Sequence, residues 1–262
     1  MRKRSQSTDT PIGASDGHGV DSLQRGLEIL RCFQPGENAL TVTEIARRLA
    51  LPRTTTRRLL DTLAMQGFVF RVPDRDAFRL HVACFVLGQA VLAGSALVRK
   101  STPVLQLLAN QHDMHCLLCV RDREDMLVLV HQAGAGAANC ALGAGTRLPI
   151  ACTAPGHAWL WTQPAAVQGE WLARMRASTT PSDNARAAAI YQAFHDIAQG
   201  GTCTSFGGWR PGMGFVAAPV VMLDRSGVVI VGVQLSADLR ERRRFEHECA
   251  AGLLQAASAI RG

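Results

Sequence analysis

Two short helical patterns stand back to back between Thr41 and Leu63, and they constrain the fold more than anything else in the chain. Thr41 and Glu44 have capping-box spacing, so each can satisfy a backbone donor where a helix begins. Ile45 and Leu49 recur four apart on one face, with Arg47 and Arg48 turned toward solvent. Leu51-Pro52 breaks this helix and opens another, because proline costs little at a helix start. In the next helix Leu59, Leu60 and Leu63 gather on one side with Thr56 near them. Thr54, Arg57, Arg58 and Asp61 fall opposite. Five arginines (47, 48, 53, 57 and 58) thus occupy twelve residues, with no acid between Glu44 and Asp61. Two helices across a tight turn, basic on the exposed side of the second, make a helix-turn-helix.

The flanks extend that unit. Leu23, Leu27 and Leu30, with Ile29, form the stripe of an earlier helix that Pro35-Gly36 ends. Gly67 stops the basic helix. Phe68–Val72 and Ala77–Leu80 then read as two short strands around the polar turn Pro73-Asp74-Arg75-Asp76. Residues 20–81 are therefore expected to form a winged helix-turn-helix, preceded by a mobile polar tail over 1–19.

An apolar stretch over 82–100 reads as one connector helix, and the pattern changes beyond Pro103. Residues 101–262 mix strands (116–120, 126–132, 216–223, 228–235) with helices (105–111, 156–172 in two pieces split by Pro164, 185–199, 240–260). The expected class is a two-domain α+β or α/β protein whose second domain has a largely antiparallel sheet.

Composition excludes some alternatives. A chain 47% hydrophobic and 19% charged is no disordered polymer. It lacks the run of about 18 apolar residues that a membrane span needs. Met1-Arg2-Lys3-Arg4 is followed by polar residues and Gly, so a secretory signal is not expected and a cytoplasmic location is. The net charge of +7 is informative mainly through its placement: residues 1–80 hold 13 Lys+Arg against 9 Asp+Glu. Eight scattered cysteines read as reduced thiols.

Three other chemistries present themselves. His112, His115, Cys116 and Cys119 carry zinc-binding groups, but Cys116 and Cys119 are three apart on a strand and so face opposite ways, with no second pair nearby. No metal site and no cofactor are expected. Cys152 and His157 contain the groups of a Cys/His enzyme, without a sign of the orienting third group. A thiol-based sensor using Cys152 or Cys203 is an alternative. The Gly134–Gly145 segment lacks the Lys-Ser/Thr ending of a phosphate-cradling loop.

Several strings, in order and spacing, resemble the IclR family of bacterial transcriptional regulators. Thr43-Glu44-Ile45-Ala46-Arg47-Arg48-Leu49-Ala50-Leu51-Pro52 with Thr54-Thr55 and Arg58-Leu59-Leu60 is similar to its helix-turn-helix. Gly67-Phe68 and Phe78-Arg79-Leu80 resemble its wing. Gly145-Thr146-Arg147-Leu148-Pro149, running into Thr153 and Gly156, resembles its effector loop, and Pro211-Gly212 with Ala217-Ala218-Pro219-Val220 its late strand. The resemblance implies a repressor or activator, dimeric or tetrameric, that binds a double-stranded DNA operator and a small organic effector and regulates genes of catabolism or multidrug export. Ala50 departs from the glycine frequent in the family's turn; a left-handed Ala there would cost about 1 kcal/mol.

For DNA, Thr54 and Thr55 can bond phosphates or bases, and Arg57 and Arg58 can grip phosphate or read guanine in bidentate fashion. Arg53, Arg47, Arg48 and the wing's Arg75 suit the backbone. For the effector, the resemblance points to Thr153 and Ala154, where a helix start can hold a carboxylate, although Pro155 has no N–H to offer. It points also to Ser205 in place of a frequent acid, Phe215 in place of a frequent Cys, and Gln234 and Ser236 on the late strand. Trp209 and Arg210 complete an aromatic, less acidic pocket in which Arg210 would clamp an acid.

Overall fold

The computed structural model describes residues 20–34, 36–73, 75–140, 142–177, 181–222, 227–235 and 239–261. The tail over 1–19, Pro35, Asp74 and Ser236 lie outside them. The chain divides into two units, one up to Ala90 and one from Val91.

In the first unit α1 (Asp21–Arg31), α2 (Val42–Leu49) and α3 (Arg53–Met65) pack with β1 (Leu40–Thr41), β2 (Val69–Arg71) and β3 (Ala77–Leu80). The three strands form one antiparallel sheet in the order β1-β3-β2. The expected capping box exists: Thr41 Oγ1 accepts from the Glu44 N–H at 3.2 Å, and Glu44 Oε2 accepts from the Thr41 N–H at 2.7 Å. Ala50 closes α2 in the left-handed region at φ 51°. Ile29, Leu40, Val42, Ile45, Leu60, Val69 and Phe78 build the core. The stripe of α1 is rotated from the sequence expectation. Ile29 and Gly26 are buried in that helix, while Leu23 and Leu27 are exposed.

The connector expected as one helix over 82–100 is two. α4 (Ala83–Gly94) ends before Ser95, whose Oγ accepts from the Val98 N–H at 3.2 Å and so caps α5 (Ala96–His112). Pro103 lies inside α5 and does not mark a boundary. Ser101 and Thr102 donate to the Leu97 and Val98 carbonyls one turn earlier, at 2.6 and 2.7 Å.

The second unit is built on six antiparallel strands in the order β6-β5-β4-β9-β8-β7. They are β4 (His115–Asp122), β5 (Asp125–Ala133), β6 (Arg147–Pro149), β7 (Cys203–Phe206), β8 (Met213–Val221) and β9 (Gly227–Leu235). Strand alternation sorts their side chains between two cores. Leu117, Cys119, Val229 and Val231 face α6 (Ala154–Trp161), α7 (Ala165–Ala177) and α8 (Pro181–Gly200). Cys116, Leu118, Val228 and Ile230 face α5 and α9 (Leu239–Arg261). The opposite facing of Cys116 and Cys119, expected from their spacing, is what the two cores require. Among the described residues no single helix is long and apolar enough to cross a membrane.

Candidate functional site

The capping box and the left-handed Ala50 set α2 and α3 at a tight turn, and the α3 start lies exposed on the first unit. Arg53 and Thr54 are exposed there, Thr55 half-buried, and Thr56 fully buried with its hydroxyl donating to the Pro52 carbonyl at 3.1 Å. Thr56 therefore belongs to the core and Thr54 to the surface, as their helical positions demand.

The six arginines expected at the interface divide into two groups. Arg48 donates to both Glu37 oxygens, at 2.9 and 2.5 Å, and to the Cys32 carbonyl at 2.8 Å, so it ties α2 to the segment after α1. This hydrogen-bonded pairing holds the Glu37 carboxyl below the usual carboxylate range. Arg57 pairs with Asp76 of the wing and lies over the Phe78 ring, 5.8 Å from its centroid. Its sequence neighbour Asp61 is not its partner. Arg47, Arg53, Arg58 and Arg75 are exposed and make no ion pair among the described residues. Arg58 turns toward α1, where it shares an open concavity with Asp21, Ser22, Arg25, Thr55 and Asp61. Glu37 and Asp76 lie 11 and 19 residues from their arginines, distances at which no helical spacing signals a pair.

In the second unit the candidate effector residues are only partly convergent. Ala154 donates its N–H to Ser205 Oγ at 2.8 Å, and Gly156 donates to Thr153 Oγ1 at 3.4 Å. Thr153 itself donates to the Pro149 carbonyl at 2.7 Å. With no N–H on Pro155, the chain's own hydroxyls occupy the free amides at the α6 start. Gly156 also leaves no room: a Cβ there would come within 2.3 Å of the Ile150 backbone. Ser205 thus caps this helix from β7, a role its sequence position gave no sign of.

Phe215 is buried in the core beneath α6, and Trp209 packs against the same core, 6.2 Å from Phe215 between ring centroids. Arg210 is exposed, with its guanidinium stacked 4.2 Å from the Trp209 ring. Gln234 lies in β9 in register with Gly214, one residue off the Phe215–Val233 pair. The Arg147 of the effector-loop string serves structure: it donates to Asp125 at 2.9 Å and Asp122 at 2.8 Å, clamping β6 to the β4–β5 turn.

The thiol chemistries find little support in the geometry. All eight cysteines are free. Cys203 is buried, donates to the Ala154 carbonyl, and is pushed far above the usual thiol range by desolvation. Burial also raises Cys152, with Arg186 opposing it in part. His157 sits in the core with Nε2 3.3 Å from the Ala151 carbonyl, and its Nδ1 has no partner among the described residues. It is not hydrogen-bonded to Cys152.

Comparison with known proteins gives this geometry its context. Residues 22–73 match the IclR helix-turn-helix domain, and residues 89–261 match the bacterial transcriptional regulator IclR C-terminal domain. The Pca regulon regulatory protein of Pseudomonas putida is 26% identical over 234 residues, 87% of this chain and 78% of that protein. The crystal structure of an IclR family transcriptional regulator from Brucella abortus superposes with a TM-score of 0.84 at 28% identity, covering 96% of this chain and 95% of that one. An IclR homologue from Microbacterium hydrocarbonoxydans, solved in complex with 4-hydroxybenzoate, shares the fold at a TM-score of 0.69 and 21% identity, covering 92% and 97%. The two-domain architecture, the helix-turn-helix and these matches together show that the chain belongs to the IclR family of bacterial transcriptional regulators, whose members are regulators and not enzymes.

Proposed function

We propose that this regulator binds an operator of paired half-sites as a homodimer or homotetramer in the cytoplasm, and that a small organic effector, an aromatic compound or a carboxylic acid, modulates its affinity. The exposed, unpaired start of α3 carries this reading: Arg53 and Thr54 stand at the helix end that lies nearest base edges when a recognition helix enters the major groove, which revises the backbone role expected of Arg53. Arg47 and Arg75 flank it as phosphate contacts. Arg48 and Arg57 hold the unit in shape. Footprinting with the full chain tests the claim, and binding to random and selected DNA with equal affinity would overturn it.

For the effector, the occupied α6 start favours a different anchor from the one the family resemblance implies. Arg210 has a free guanidinium face beside Trp209, a pairing suited to a carboxylate next to an aromatic ring. The 4-hydroxybenzoate held by the Microbacterium homologue has this chemistry. Isothermal titration with benzoates, phenylpropionate and short aliphatic acids discriminates. Binding of short aliphatic acids alone sinks the aromatic version, and full affinity in Arg210→Ala sinks the anchor. Control of catabolic genes is part of this reading, and the Pca regulon regulatory protein is by its name a regulator of a set of genes.

A further inference from the structure

Among the described residues one group of three side chains brings metal-binding atoms together, and it lies outside the residues the function absorbs. His115 opens β4, and His131 lies near the end of β5, opposite Leu117. Two residues apart in register, both rings occupy the sheet face that carries Leu117 and Cys119. They stack with centroids 5.2 Å apart, and His115 Nδ1 is 3.0 Å from His131 Nε2. The loop after β5 brings Cys140 alongside, so that one ring nitrogen of each histidine and the thiol sulfur all lie within 4.8 Å of one another.

The surrounding backbone fixes this arrangement. His115 Nε2 is 2.7 Å from the Ala138 carbonyl, which can only accept, so Nε2 carries the proton and Nδ1 presents its lone pair. Orientation of an imidazole by a carbonyl on its far nitrogen is the usual outer support of a metal-binding histidine. Gly134 pins the start of the loop: it donates to the Met114 carbonyl at 3.0 Å, and a Cβ there would meet the Ala109 carbonyl at 2.3 Å. Gly136 donates to Asp113 at 2.8 Å.

We propose that His115 Nδ1, His131 Nε2 and Cys140 Sγ bind one zinc ion, leaving a fourth position open. Two imidazoles and a thiolate are a borderline-soft set that suits Zn²⁺ and not the oxygen-seeking Ca²⁺ or Mg²⁺. Bonds of about 2.0–2.1 Å to nitrogen and about 2.3 Å to sulfur require the two nitrogens, 3.0 Å apart, to part slightly and the sulfur to come within reach of the same ion. Binding releases one proton to solvent, from the Cys140 thiol, and His131 moves its Nε2 proton to Nδ1. No redox change occurs. Nothing in the sequence pattern raised an expectation of this site, because the partners of His115 are 16 and 25 residues away and meet it only through strand pairing and the loop.

The test uses the full, tag-free chain stripped with a chelator and titrated with Co²⁺, since Zn²⁺ itself is spectroscopically silent. One equivalent should produce tetrahedral d–d bands and a thiolate-to-cobalt charge-transfer band, both displaced by Zn²⁺. Cys140→Ser should abolish the charge-transfer band, and His131→Gln should weaken Zn²⁺ binding more than tenfold. Cys152→Ser should change neither. No charge-transfer band at one equivalent overturns the proposal, as does a band that survives in Cys140→Ser. If Cys140→Ser fails to fold by circular dichroism, His131→Gln decides: unchanged Zn²⁺ affinity overturns the site. The measurement involves no DNA, so its outcome is independent of the regulatory reading.

Discussion

Ala50 holds a left-handed backbone at φ 51° in the turn on which the DNA-binding unit depends. A Cβ is disfavoured in that conformation, so Ala50→Gly should stabilise the first unit by about 1 kcal/mol, read as a raised urea midpoint. A lower midpoint would mean that the methyl group packs usefully. His157 makes a sharper prediction. Desolvation by burial lowers its pKa to about 4 from the ordinary 6.5, with the Ala151 carbonyl opposing. The folded state therefore resists protonation that the unfolded chain accepts. Stability is fully present above pH 6.5 and falls as the pH drops toward 4. From pH 7 to pH 5 the loss from this residue should be about 2 kcal/mol. Denaturant unfolding at both pH values, for wild type and His157→Leu, checks it; an equal loss in both proteins would refute the assignment.

At the scale of elements, the two helices of the helix-turn-helix were legible because their signals are local. Capping-box spacing, Leu51-Pro52 and the leucine clusters each act within a turn or two of helix. What stayed illegible depends on distant residues. β1, β6 and β7 are two to four residues long, too short for alternation to register, and exist because a neighbouring strand offers a free edge. The pairings of Arg48 with Glu37 and Arg57 with Asp76 follow from tertiary packing alone, so a basic patch of five arginines contains fewer free ones than it displays. This division predicts how variants should behave. Arg53→Ala should cost about 1–3 kcal/mol of operator affinity if Arg53 reads a base, with the loss confined to specific DNA. Arg75→Ala should weaken operator and random DNA alike and lower the salt slope by about 1. Arg48→Ala should instead lower the unfolding midpoint, leaving Glu37 and the Cys32 carbonyl without their donor. Electrophoretic mobility shifts over a salt series separate the three. A loss of operator affinity in Arg48→Ala with unchanged stability would return that residue to the interface.

For the whole molecule, the telling element is α4, which contains no charged residue and no buried one. Phe85 is 63% exposed, Val86 65% and Val91 64%. A contiguous apolar surface of this kind is unfavourable in water by about 25 cal/mol for each Å² and in soluble proteins marks an interaction site. If the operator has paired half-sites, as proposed, a second copy of the chain is the expected partner: such an operator requires two helix-turn-helix units, and a two-fold pairing presents the same apolar helix from each side. The wild-type chain should therefore sediment as a dimer or tetramer. Val86→Glu, and separately Phe85→Glu, should shift it toward monomer, because each buries an unpaired carboxylate in the contact. Operator affinity should fall with the assembly, while binding of an acid at Arg210 should persist. A wild-type monomer at micromolar concentration, or a folded Val86→Glu variant of unchanged mass, would show that α4 is covered by something other than its own copy.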